Sequence, residues 1–171
     1  ECGSQETFTA QRAVVVVVKS KSDRHERAMA IVKNWSQWSV AAGVVPIPLL
    51  DTVAISGVQL KMVHSLCKHY GVPFEKEAVI GSVGSLVGGA ITTSLTDAVT
   101  HAFLKSIPYA EQVLQPTLSF ATTYSLGFVF VQHFENNGTL RDFNASKMRS
   151  VFKAQLVKSK AVFASRKRAT A

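Results

Sequence analysis

The sequence predicts an all-α protein of about five helices, in which a long central glycine-rich hairpin packs against amphipathic helices. Three observations carry this. Apolar residues at 28, 31, 32, 35 and 38 recur at helical spacing. Prolines and glycines punctuate the chain at helix-length intervals, at Pro46 and Pro48, Gly71 and Pro73, Pro108, and Gly138. Two long stretches are nearly without charge: over 78–104 only Asp97 and His101 can ionise, and 112–132 holds no acid, base or histidine.

Taken in order, the first dozen residues read as a polar tail. Five valines at 14–18 fit either a short strand or extended arm, which would need a partner edge, or the opening turns of a buried helix. A helix over 24–42 follows, with Ala28, Ile31, Val32, Trp35 and Trp38 on its apolar stripe and Gly43 at its end. Pro46-Ile47-Pro48 breaks the chain, and Pro48 suits the first turn of the next helix. That helix carries Asp51 near its start and runs through Leu60, Met62, Val63 and Leu66 to Tyr70. Gly71 sits at the C′ position and Pro73 blocks continuation. The third helix opens on Glu75 and Glu77 and covers 78–104; the fourth covers 109–135 and contains Pro116. Asn136-Asn137-Gly138 closes it, and Thr139 with Asp142 forms a capping-box pattern for a fifth helix. The predicted organisation is therefore an N-terminal tail or arm at 1–23, a helical domain at 24–140, and a basic amphipathic helix at 141–171.

The 171 residues amount to one domain, long enough to bury a core. Charged residues make up 18%, below the usual ~25%. The formal charge of +8 is localised: residues 1–140 balance, whereas 141–171 carries nine Lys/Arg against Asp142 alone. Such a surface suits an anionic partner, whether lipid headgroups, nucleic acid or an acidic protein. Cys2 and Cys67 make no disulfide framework, which points to a reducing compartment. The valine run is too short for a signal segment, and no targeting signal is read.

The most pronounced pattern is glycine. Gly81, Ser85, Gly89 and Thr93 step by four, as do Gly84, Gly88 and Thr92. Small-xxx-small stripes let helix backbones approach closely, as in membrane helices, and Gly81, Gly84, Ser85, Gly88, Gly89 and Thr92 are the expected helix-packing residues. A third helix of about 27 residues would be ~40 Å long, enough for ~30 Å of hydrocarbon. Two settings fit: a hairpin embedded in a membrane, or a close-packed soluble bundle in a homo-oligomer. In the membrane setting both hairpin ends, and with them the basic termini, face the cytoplasm. Lys147, Arg149, Lys153, Lys158, Lys160, Arg166, Lys167 and Arg168 are the expected contacts to anionic headgroups. No nucleic-acid-binding motif is present, so nucleic acid is disfavoured.

Candidate chemistry is sparse. His64, Cys67 and His69 are potential ligands, but His69 leaves the face the other two share and no fourth ligand is evident. Asp97 and His101 form an i, i+4 pair that reads as a satisfied buried pair, or in a membrane as a relay. The chain has no G-x-x-x-x-G-K-[ST], G-x-S-x-G or H-E-x-x-H motif. It is read as a non-enzyme with no cofactor and no metal.

Several stretches together are distinctive: residues 42–51, including Pro46-Ile47-Pro48 and Asp51; Val58-Gln59-Leu60-Lys61-Met62-Val63; Tyr70-Gly71-Val72; residues 122–127 around Tyr124; and residues 133–139. They resemble the YcjF-like bacterial family, a domain of unknown function (number 697) that occurs alone or attached to GTPase domains. The resemblance covers roughly residues 31–140 and implies a helical, membrane-associated domain, in some members with a GTPase neighbour; the glycine stripes add the expectation that the protein acts by packing against itself or a partner. With no nucleotide motif here, any GTPase would be a separate partner. Pro46, Pro48, Asp51, Gln59, Lys61 and Tyr124 carry the motif and are read as structural, with Asp51 capping or pairing and Gln59 and Lys61 bonding across the helix layer. Asn137 stands where the family usually has glycine.

Overall fold

The computed structural model describes residues 3–42, 50–95 and 110–169, with side-chain surroundings for 19–41, 56–88 and 116–163. Within them lie five helices and no strand: α1 (Gly3–Ala42), α2 (Leu50–Tyr70), α3 (Lys76–Leu95), α4 (Ala110–Glu135) and α5 (Ala145–Ala169). The all-α expectation holds. Of the two readings of the valine run, the helical one is observed: from Gly3 onward these residues belong to the 40-residue helix α1. β-Branched residues cost a helix only tenths of a kcal/mol each, and no strand among the described residues offers an edge.

Cross-helix contacts fix the directions. His25 pairs with Glu135 and Ser39 bonds to Ser119, so α1 and α4 are antiparallel. Phe130 stacks on Phe143 and Phe120 on Phe163, so α4 and α5 are antiparallel too. Tyr70 reaches Glu135 while Met62 lies level with Gly127, so α2 and α4 run in parallel. Helices α1, α3 and α5 therefore run one way and α2 and α4 the other. One end of the bundle holds His25, Tyr70, Glu75, Glu135 and Arg141; the opposite end lies beyond Ser39, Ser119 and Phe163.

α4 is the central helix. It packs most extensively on α1 and α5 and also touches α2 and α3, and Ala121, Leu126, Val129, Phe130 and Val131 on it are fully buried. Burying a side chain such as Phe130 or Phe152 contributes about 1.5–3 kcal/mol. Among the described residues α3 lies chiefly against α5 and touches α4 less, and the turn of the expected hairpin, 96–109, lies outside them. The basic helix does not stay at the hairpin's open end, because α5 runs back along α4 and α3.

Close helix packing occurs elsewhere than expected. On α1 the buried line is Ala28, Val32, Ser36 and Ser39, and Trp38 is 61% exposed rather than part of the stripe. The serines can be buried because their hydroxyls find carbonyls: Ser36 donates to Val32 O at 2.7 Å, and Ser39 to Ser36 O at 2.7 Å and Ser119 O at 3.1 Å. On α4 the facing line is Ser119, Thr123 and Gly127, all buried and four residues apart. A Cβ at Gly127 would lie 2.6 Å from Val32 Cγ1 and 3.0 Å from Met62 Sδ. The small-residue crossing is thus α1 on α4.

Helix ends follow their cap chemistry. Gly71 has φ +72°, and Val72 N–H reaches Cys67 O at 2.9 Å, the Schellman closure of α2. α4 ends in the same motif with Asn137 at φ 61°, its N–H on Phe134 O and that of Gly138 on His133 O. The capping box expected at Thr139–Asp142 is instead a turn before the helix: Asp142 accepts from the Thr139 amide and hydroxyl. These bonds hold the Asp142 carboxyl below the ordinary range. The residue that caps α5 is Asn144, whose side chain accepts from Lys147 N–H at 3.1 Å.

Candidate functional site

Three places can be compared. The first is a polar junction at the His25 end. Glu135, 19% exposed, accepts a hydrogen bond from Tyr70 Oη at 3.1 Å and from His25 Nδ1 at 2.8 Å, joining α1, α2 and α4. Burial, then the Glu135 charge and its hydrogen bond, push the Tyr70 hydroxyl well above its ordinary pKa, with Arg24 opposing. His69 Nε2–H donates to Arg24 O at 3.0 Å. Beside it Lys19, Ser20, Asp23, Arg24 and Arg27 complete an open hollow of about 440 Å³. Arg141 pairs with Glu75 at 2.6 Å across two connections, an exposed pair that adds little stability. The junction ties helices together and presents no nucleophile with a base. Its members lie as far as 110 positions apart, and no local signal announces them.

The second place is the glycine face of α3. Gly81, Gly84, Ser85 and Gly88 are exposed, and a Cβ at any of these three glycines would meet nothing within 4 Å. Among the described residues no other helix packs over these three glycines. α3 instead buries Val79 and Leu86. Gly89 and Thr92 belong to α3, but their surroundings lie outside the described residues.

The third is the outer face of α5. At about 100° per residue, Lys147, Ala154, Lys158 and Ala161 share one exposed face, with Val157 and Val162 at its margins, 69% and 51% exposed. Arg149, Lys153 and Lys160, half-buried, form a second basic stripe beyond Val157. Burial lowers the Lys160 pKa. Arg166, Lys167 and Arg168 lie in α5, with side chains outside the described set. The expected basic surface is therefore two stripes with exposed valine between them, a feature that needed the helix's packing to see.

The remaining expected residues separate. Gln59 is buried within the helix layer, whereas Lys61 is exposed and does not bond across it. Tyr124 stacks on Phe120 with ring centroids 5.7 Å apart. Asp51 lies in α2 with its side chain outside the described set, and Pro46, Pro48, Asp97 and His101 lie outside the described residues. His64 meets the Phe74 ring edge-on at 4.7 Å, and His69 turns to Arg24. The Cys67 thiol is buried, which pushes its pKa up to about 11. Among the described residues no group of three His, Cys, Asp or Glu is placed to hold a metal ion. Among the described residues no helix is long and apolar enough to cross a membrane.

Four helices around a central α4, one of them basic and partly apolar on its outer face, define an all-α bundle, and among the described residues no nucleophile is set beside a base. The chain belongs to the family described as Domain of unknown function (DUF697), which it matches over residues 9–161, further in both directions than the motifs at 31–140. It is 36% identical over 138 residues to Magnetosome membrane protein 22 of Magnetospirillum gryphiswaldense, covering 78% of this chain and 71% of that one. No solved structure matches it.

Proposed function

We propose that the protein is a non-enzymatic, membrane-associated helical protein that contacts anionic lipid through α5 and acts by assembly with itself or a partner. The observation that carries this is the outer face of α5, where Lys158 stands beside exposed Val157 and Val162 and Lys147 lies further back along the same face. Lysines attract anionic headgroups while the valines enter the headgroup boundary. The relative named as a membrane protein supports the same reading. With no spanning helix among the described residues, the mode proposed is surface association, on the cytoplasmic leaflet where anionic lipids concentrate.

Co-sedimentation with vesicles tests this. The full chain is expected to pellet with phosphatidylglycerol-containing vesicles and stay in solution with phosphatidylcholine alone. Each lysine near the surface contributes about 1 kcal/mol, so Lys147→Glu with Lys158→Glu should weaken binding about tenfold or more. Equal binding by the charge-reversed variant would remove α5 from the contact.

A second reading is favoured by the exposed α3 face: a helix of a second copy packs over Gly81 and Gly84, making a homo-oligomer. Gly81→Leu with Gly84→Leu would then shift the sedimentation coefficient towards monomer while leaving the fold intact. An unchanged coefficient would discard that contact.

A further inference from the structure

α1 outruns the helices beside it. His25 meets Glu135, the last residue of α4, and the His69 ring is tied through Nε2–H to Arg24 O one residue before α2 ends at Tyr70. Gly71 then turns the chain away, while α1 extends beyond that level towards Gly3. The step left between them is the open hollow of about 440 Å³, walled by Lys19, Ser20, Asp23, Arg24 and Arg27 of α1 and His69 of α2. The two connections at this end, 71–75 and 136–144, are both described, and neither enters the wall.

Ser20, Asp23, Arg24 and Arg27 are spaced i, i+3, i+4 and i+7, which sets them on one face of α1 with Lys19 at its margin. Among the described residues none of Lys19, Arg24 and Arg27 is in an ion pair, and Asp23, one turn from both Lys19 and Arg27, joins neither. The neighbouring carboxylate of Glu135 is already engaged by His25 and Tyr70. Three permanent cations and a histidine therefore line the hollow against one acid.

We propose that the hollow between α1 and the end of α2 binds a terminal phosphate group, held by Arg24 and Arg27 with Lys19, Ser20 and His69 around them. A planar carboxylate is filled by one guanidinium fork. A terminal phosphate offers three strong acceptor oxygens, which suits donors arriving from two helices. The hollow is roomier than a bare phosphate needs, and its open side lets the remainder of the ligand extend into solvent. Asp23 opposes an anion but leaves the cations in excess, and its spacing from Lys19 and Arg27 lets it steer both side chains. The wall holds no residue of α5, so this site does not rest on the α5 contact.

The probe is inorganic pyrophosphate, titrated into the full chain and followed by amide NMR spectra. Saturable shifts are expected at 19–27 and 68–70, with 147–163 unmoved. Arg24→Gln with Arg27→Gln should weaken binding about tenfold or more. The melting temperature should not change, since both side chains are exposed. Lys33→Gln, on the opposite face of α1 at about 100° per residue, should leave the affinity as it was. Equal weakening by Lys33→Gln, or equal shifts along α5, would reduce the binding to general attraction by a basic chain and overturn the site. Absence of saturable shifts would overturn it as well. Vesicles of phosphatidic acid or phosphatidylglycerol at equal surface charge then assign the source. A phosphatidic acid preference that disappears in the double arginine variant places the phosphate on a lipid headgroup. Equal binding to both, with pyrophosphate still bound, places it on a soluble molecule. Failure to pellet with either, with pyrophosphate held in the hollow, would overturn the α5 contact and leave this site standing.

Discussion

Gly127 of α4 faces the isopropyl group of Val32 on α1 so closely that a methyl at Gly127 would lie 2.6 Å from Val32 Cγ1. Both residues are buried and Met62 closes the third side, so the clash has no free direction in which to relax. Gly127→Ala should therefore destabilise by about 1–3 kcal/mol, the range for overpacking a core. Gly84→Ala, on an exposed helix face, should stabilise by about 0.5–1 kcal/mol through helix propensity alone. Urea denaturation of both variants checks the pair. Equal effects would mean that Gly127 is not the crossing point.

Thr123, one turn before Gly127, is fully buried, and its hydroxyl finds no hydrogen-bond partner among the described residues. Thr123→Val replaces the hydroxyl by a methyl of similar shape. Removing an unsatisfied buried polar group should raise stability by about 1 kcal/mol. A drop of that size in chemical denaturation would reveal a partner for the hydroxyl.

At the junction, the three partners should rank by burial. Glu135→Ala leaves Tyr70 and His25 without their acceptor and should cost about 1–3 kcal/mol. Tyr70→Phe removes one hydrogen bond at about 1 kcal/mol. His25, 44% exposed, should cost less than 1 kcal/mol as alanine. A double-mutant cycle between Tyr70 and Glu135 by thermal or urea unfolding would return no coupling if the bond is absent in solution.

Alkaline pH should weaken the fold. The Cys67 thiol, ordinarily near 9.0, is pushed up to about 11 by burial, so the unfolded chain loses its proton first. A group whose folded pKa is raised contributes stability that is whole below the unfolded value and lost as pH climbs to the folded one. The raised Tyr70 hydroxyl acts in the same direction. The melting temperature should hold through pH 8 and fall between pH 9 and 11, and Cys67→Ala should flatten part of that fall. In the native protein at pH 8 the thiol should react slowly with a disulfide reagent. Fast labelling would contradict its burial.

Much of the helical framework was legible locally. Gly71 at the end of α2 and the Asn-Asn-Gly end of α4 needed only cap chemistry, and both carry the positive φ that chemistry requires. The α5 cap was misread because Thr139 and Asp142 have the right residue types for a capping box; the turn they form ends before Asn144, where the helix begins. The α1 stripe was misread at one residue, since apolarity pointed to Trp38 while the close crossing selected Ser36 and Ser39.

Residue types and their spacing determined the all-α class, the approximate helices, the charge-poor α3 and α4 and the basic α5, because propensity, capping and periodicity act over a few neighbouring positions. Which helices pack was decided only in three dimensions. The glycines of α3 satisfy the same small-xxx-small spacing as Ser119, Thr123 and Gly127 of α4, yet α4 is the helix that closes on α1. Shape complementarity between distant faces, with buried serines able to satisfy their hydroxyls on nearby carbonyls, separates the two stripes, and no count along the chain contains it. The same tertiary arrangement brings Trp38 of α1 and Val157 and Val162 of α5 towards one end of the bundle, through the separate contacts of their helices with α4.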